Sequence, residues 1–158
     1  MAVRSSRAKY LTDTATAVVL RNASDGAETS TATETGVSLG EMDAAWWHDG
    51  KDIPGGVFEV NINVTAVDVT TGDETYQFDL MVDDASALND TPRSIGTLAF
   101  AAGLLTVGCY RMFVASDQIK YIDTDSSGTE KYLAIKATLG GTTPSVTYGA
   151  VIGKVLQA

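Results

Sequence analysis

Phe58 to Val82 reads FEVNINVTAVDVTTGDETYQFDLMV, two alternating runs around a short polar turn. In the first run Phe58, Val60, Ile62, Val64 and Ala66 are apolar, and the residues between them, Glu59, Asn61, Asn63 and Thr65, are polar. A period of two belongs to a strand that buries one face and wets the other. The second run repeats it, with Tyr76, Phe78, Leu80 and Val82 set against Gln77 and Asp79. Between them Thr70-Thr71-Gly72-Asp73-Glu74 supplies a glycine that takes positive φ at no steric cost, flanked by small polar residues that favour a turn. The segment predicts a β-hairpin with one face in a core. Its wet positions, Glu59, Asn61, Asn63, Gln77 and Asp79, face either solvent or a neighbouring subunit.

Strand signals recur on both sides of this segment, and no stretch keeps a helical period over three turns. Thr16 to Arg21 reads as a first strand. Asn22 to Thr35 has too little apolar content for a core and reads as a long exposed loop or an irregular edge hairpin. Val37 to Leu39 is a short strand, and Glu41 to Gly56 is a loop punctuated by Trp46-Trp47-His48-Asp49-Gly50 and Pro54-Gly55-Gly56. Further strands are expected over Ser94–Phe100, Tyr110–Ala115 and Gln118–Ile122. In the last pair Leu133, Ile135, Ala137 and Leu139 alternate with polar or small residues before Gly140-Gly141-Thr142-Thr143-Pro144 turns the chain into Val146, Tyr148, Ala150 and Ile152. About eight strands separated by Gly, Pro and Asp turns predict an all-β, antiparallel sandwich of jelly-roll type. Residues 1–15 form a basic N-terminal arm, and 16–158 a single domain.

At 158 residues the chain is long enough to bury roughly 70% of its unfolded surface without a metal or disulfide staple. Cys109 is the single cysteine, so no intrachain disulfide forms, and its apolar neighbours predict a small buried hydrophobe. The N-terminus lacks the apolar core of a secretory signal and no run of about 18 apolar residues occurs, which predicts synthesis in the cytosol without export. The net charge is −9, from 11 cations and 20 acids. Arg4, Arg7 and Lys9 precede every acid, so the body of the chain is more acidic still. Such a body repels nucleic acid and anionic membrane, which excludes both as main partners. The basic arm is either a solvated terminus or a tether that orders on an acidic surface.

Candidate chemistry fails for want of partners. Asp123-Thr-Asp125-Ser-Ser127-Gly128 begins like a calcium loop, but its twelfth position is Ala134 where a bidentate glutamate should close the cage, so it reads as a hairpin turn. His48 is the only histidine and has no nucleophile at a recognisable spacing, which argues against general-base catalysis. Asp83 and Asp84 are adjacent and on a strand point to opposite faces, so they do not flank one glycosidic bond and read as a solvated loop end. No catalytic residue, metal ligand or cofactor is therefore expected. Trp46 and Trp47 have three readings: a plug at one end of the sandwich, a protein interface, or a sugar platform.

Gly72-Asp-Glu-Thr-Tyr-Gln-Phe-Asp-Leu80 with its preceding strand, and Lys131-Tyr-Leu-Ala-Ile-Lys136 leading through Gly140-Gly141-Thr142 to Ser145-Val-Thr-Tyr-Gly-Ala-Val-Ile152, resemble the small jelly-roll cement, or decoration, proteins of tailed-bacteriophage capsids. The likeness spans Val57 to Leu156 and rests on strand and turn words. It implies a non-enzymatic virion protein, commonly a homotrimer, that sits on the capsid exterior and clamps neighbouring copies of the major capsid protein. Arg4, Arg7, Lys9, Trp46 and Trp47 are then the expected interface residues. The alternative is a carbohydrate- or receptor-binding sandwich using Trp46, Trp47 and Tyr121.

Overall fold

The computed structural model describes residues 18–38, 57–115, 118 and 132–155. Nine strands occur among them: β1 (Val18–Arg21), β2 (Ala32–Thr33), β3 (Val37–Ser38), β4 (Val57–Asp68), β5 (Thr75–Asp83), β6 (Arg93–Phe100), β7 (Gly108–Ala115), β8 (Tyr132–Gly140) and β9 (Ser145–Val155). Every pairing is antiparallel. The strands form two sheets, one in the order β1-β9-β4-β7 and the other β2-β8-β5-β6, with β3 also on β8. The protein is an all-β sandwich.

The predicted hairpin is not a hairpin. β4 pairs with β7 and β9 in the first sheet, whereas β5 pairs with β6 and β8 in the second, so Val69–Glu74 carries the chain from one sheet to the other. Alternation tells which residues face inward and does not tell whether a strand's neighbour lies beside it or across from it. An arch that folds two arms face to face satisfies the same pattern. β8 and β9 are related in the same way across the Gly141–Pro144 turn.

The inner faces of both sheets meet in one core. Phe58, Val60 and Ile62 of β4 oppose Phe78, Leu80 and Val82 of β5, with Leu133 and Ile135 from β8 and Tyr148 and Ile152 from β9, all fully buried. Each such side chain contributes about 1.5–3 kcal/mol by leaving water. Phe78 meets Tyr148 edge-on at 4.9 Å between centroids, a favourable quadrupole arrangement that links the two sheets.

The alternation breaks once in β4. Val64 pairs with Tyr148 and Ala66 with Thr147, so an extra residue bulges there and the phase reverses. Ala66, predicted inward, is exposed, and Val67 and Val69 pack against the core in its place. A second, smaller apolar cluster lies outside the sandwich: Leu88 covers Met81 and Ala134 on the outer face of the β2-β8-β5-β6 sheet. The covering segment is held by Asp83, whose carboxylate accepts hydrogen bonds from the amides of Asp84 (2.8 Å) and Asp90 (3.1 Å). Asp83 is thus buried, not part of a solvated loop end.

Candidate interaction surfaces

Residue 22 onward closes one side of the sandwich, where β1 of one sheet lies over β2 of the other. A bulge between Val19 and Arg21 lets Leu20 and Arg21 both turn away from solvent. The Arg21 guanidinium, its side chain 2% exposed, pairs with Glu28 at 2.8 Å and with Glu34, and donates to the Gly26 carbonyl at 2.8 Å. It also stacks over the Tyr148 ring, 4.7 Å from the centroid. Burial works against the charge, but the Glu34 hydrogen bond, Tyr148 and Glu28 outweigh it and hold the guanidinium above its ordinary pKa. Burial also pushes the Tyr148 hydroxyl well above its usual range. Backbone bonds complete the closure: Glu28 exchanges both of its own with Val146, and Glu34 donates to Ile135. The Asn22–Thr35 segment is therefore a pinned edge that crosses between the sheets. Its signal in the sequence is an arginine ending an apolar strand with two glutamates downstream.

One end of the sandwich is knit by polar side chains from the two arches. Glu74 is buried and its carboxylate accepts from the Thr71 amide (3.0 Å), the Gly72 amide (2.9 Å) and the Thr71 hydroxyl. Asp73 reaches the other arch, accepting from the Thr142 amide (3.0 Å) and hydroxyl (2.9 Å). The Thr71 hydroxyl lowers the pKa of both carboxyls, assisted at Asp73 by Thr142. Tyr76 crosses from β5 to the opposite sheet, where its hydroxyl accepts from the Ser145 amide (3.0 Å) and donates to the Asp68 carbonyl. Gly141 allows this meeting: at φ +93° it lies so close that an added Cβ would sit 2.5 Å from the Asp73 carbonyl oxygen.

The expected wet positions divide. Asn63 is exposed, and Asn61 and Gln77 are half-buried, but Glu59 and Asp79 are buried although they point outward. Arg111, one strand over, bonds Glu59 at 3.3 Å, and Asp79 accepts from Thr97 (2.6 Å) and Gln77 (2.8 Å). Cross-strand partners cover both carboxylates, which alternation along one strand does not reveal. Cys109, expected to be buried, is exposed. On β7 the inward residues are Met112 and Val114, so Cys109, Arg111, Phe113 and Ala115 all lie on the outer face.

Arg4, Arg7, Lys9, Trp46 and Trp47 lie outside the described residues, as do His48, Tyr121 and the Asp123–Gly128 turn. Among the described residues no group of three His, Cys, Asp or Glu side chains is placed to hold a metal ion. Among the described residues the large apolar side chains left exposed are Val19, Leu104, Val107 and Phe113, and three of these lie on β7 or the loop leading into it. Sequence reasoning missed this stripe; the odd-even phase of Met112 and Val114 was the signal that placed Phe113 outside. Neither protein-family models nor curated proteins match this chain.

Proposed function

We propose that this chain is a structural virion protein, a jelly-roll cement or decoration subunit that binds the exterior of a phage capsid and stabilises contacts between major capsid subunits. The observation that carries the reading is the strand order. In β1-β9-β4-β7 over β2-β8-β5-β6, the pairs β1/β2, β4/β5, β6/β7 and β8/β9 each take the same position in the two sheets, and with the steps from β3 to β4 and from β7 to β8 the chain crosses between layers six times. Double-sheet rolls of this kind serve in viral capsid and lectin domains. The strand and turn words of Gly72–Leu80 and Lys131–Ile152 add a resemblance to capsid cement proteins.

The buried polar closures support a scaffold role. Arg21, Glu74, Asp79 and Asp83 are all buried and bonded to other groups of the fold, with only the Arg21 Nε among these side chains buried without a partner, which suits a protein that presents surface rather than performs chemistry. Cement proteins gain affinity by repeating weak contacts across a lattice, and a basic arm bearing Arg4, Arg7 and Lys9 suits an acidic shell. Co-sedimentation with capsids that lack this protein tests the reading: saturable co-pelleting is expected, with occupancy lowered by deletion of residues 1–9. Protein that stays in the supernatant at every capsid concentration rules the reading out. A sugar that quenches tryptophan fluorescence would favour the carbohydrate-binding alternative through Trp46 and Trp47.

A further inference from the structure

A sandwich has four open edges, and three of these are blunted. β1 is four residues long and bulged between Val19 and Arg21. The β2/β3 edge is broken into two pieces of two residues each. β6 carries an irregularity against β5 between Leu80 and Met81. Short length, interruption and bulging are the devices by which sheets avoid pairing with other chains. β7 has none of them. Its eight residues, GCYRMFVA, run in unbroken register along β4 from Val57↔Ala115 to Val64↔Gly108, without proline, and no described strand lies on its other side.

The side of the sandwich that β7 shares with β6 and the loop between them is unusually free of charge. Ser94 to Tyr110 is a run of 17 residues with no Asp, Glu, Lys or Arg, in a chain where 20% of residues are charged. β7 itself adds only Arg111, which is paired with Glu59 of its own sheet. Two copies of a −9 chain repel each other, and a side poor in charged residues adds little to that repulsion. Phe113 on β7 is 54% exposed, and Leu104 and Val107 in the loop that leads into it are 66% and 62% exposed.

We infer that β7 is a self-association strand, which pairs antiparallel with β7 of a second copy about a two-fold axis and joins two β1-β9-β4-β7 sheets into one continuous sheet. An isologous contact demands self-complementarity. Residues directly opposite must share a face, so the axis passes through a residue position. Centred on Arg111, two guanidiniums would face each other. Centred on Met112, the pairing uses Cys109 to Ala115, sets Arg111 against the partner's Phe113 on the outer face twice over, and sets Cys109 against the partner's Ala115. The guanidinium over an aromatic ring is a favourable pair, and both are already exposed on that face. This two-fold pair differs from the three-fold assembly that the cement resemblance implies, and it is tested without any capsid.

Mass in solution at micromolar concentration is the first measurement. The full chain should run as a dimer of about 33 kDa, twice the 16.6 kDa of one copy. Phe113→Lys, which puts an ammonium opposite Arg111, should weaken association about tenfold or more while the dissociated chain keeps the far-UV circular dichroism of the folded protein, because Phe113 lies outside the core. Val19→Lys, on the far edge of the same sheet, should leave the mass unchanged. Ala115→Cys tests the register: oxidation should give a covalent dimer on a non-reducing gel, through Cys109 of each copy and the new thiol of the other. A monomer, a trimer, or a dimer that ignores Phe113→Lys and does not cross-link at 109 and 115 would overturn the inference.

Discussion

Arg21 keeps a full charge on a side chain 2% exposed, which is tolerable only because Glu28, Glu34, the Gly26 carbonyl and the Tyr148 ring surround it. Removing the cation strands two carboxylates at the seam, and removing one partner of a largely buried pair is costly. Arg21→Ala should therefore lose about 2–4 kcal/mol in urea unfolding, discounted from the fully buried case because both glutamates keep some solvent. A loss below that of an ordinary surface substitution would show the ion pairs to be incidental. Tyr76→Phe is a subtler change, since the ring stays in the core and only the hydroxyl between Asp68 and Ser145 disappears. It leaves the Ser145 amide without that acceptor and should cost about 1–2 kcal/mol, read as a lower urea midpoint with an unchanged slope. Arg21 and Tyr76 were both visible in the sequence as residue types at strand ends. Their partners, far off in the chain or across the sandwich, were not.

At the scale of elements, the alternation in β4 and β5 assigned the core face correctly for Phe58, Val60, Ile62, Val64, Tyr76, Phe78, Leu80 and Val82. It failed at Ala66 because a bulge adds a residue that no one-strand pattern encodes. It also predicted a hairpin where an arch stands, since Gly72 at φ +77° turns the chain in either geometry. The arch depends on its contact with the Gly141 turn. Gly141→Ala forces a Cβ against the Asp73 carbonyl at a left-handed φ of 93°, and roughly 1–3 kcal/mol of destabilisation is expected. Gly72→Ala is the informative comparison, because its added Cβ meets nothing within 4 Å and only the positive φ is penalised. Thermal unfolding of the two variants should place Gly141→Ala clearly lower, and equal melting temperatures would remove the close approach as the cause.

For the whole molecule, the carboxylates that knit the arch end set an acid limit on stability. Asp68, Asp73 and Glu74 all have folded pKa values below their ordinary ones, each held down first by a threonine hydroxyl. A depressed carboxylate means that the unfolded chain binds more protons, so this stability is present above the unfolded pKa near 4 and is lost as pH falls through the folded values. Melting temperature should be flat from about pH 7 to 5 and fall steeply below about pH 4, and Glu74→Gln should make that fall shallower. An unchanged acid profile in the variant would assign the loss to other groups. By itself, the sequence determined that the chain is all-β, which residues of β5 and of β4 up to its bulge face a core, that the chain turns at Thr70–Glu74 and Gly140–Pro144, and that it is strongly acidic, because period, turn chemistry and charge are local properties. Only the tertiary structure decided that β4 and β5, like β8 and β9, lie in opposite sheets, that Glu59 and Asp79 are covered, that Cys109 is bare, and that among the described edge strands β7 is the one that is long and regular. Those facts depend on which strand lies beside or across from which, and that choice is made by packing between residues distant in the chain.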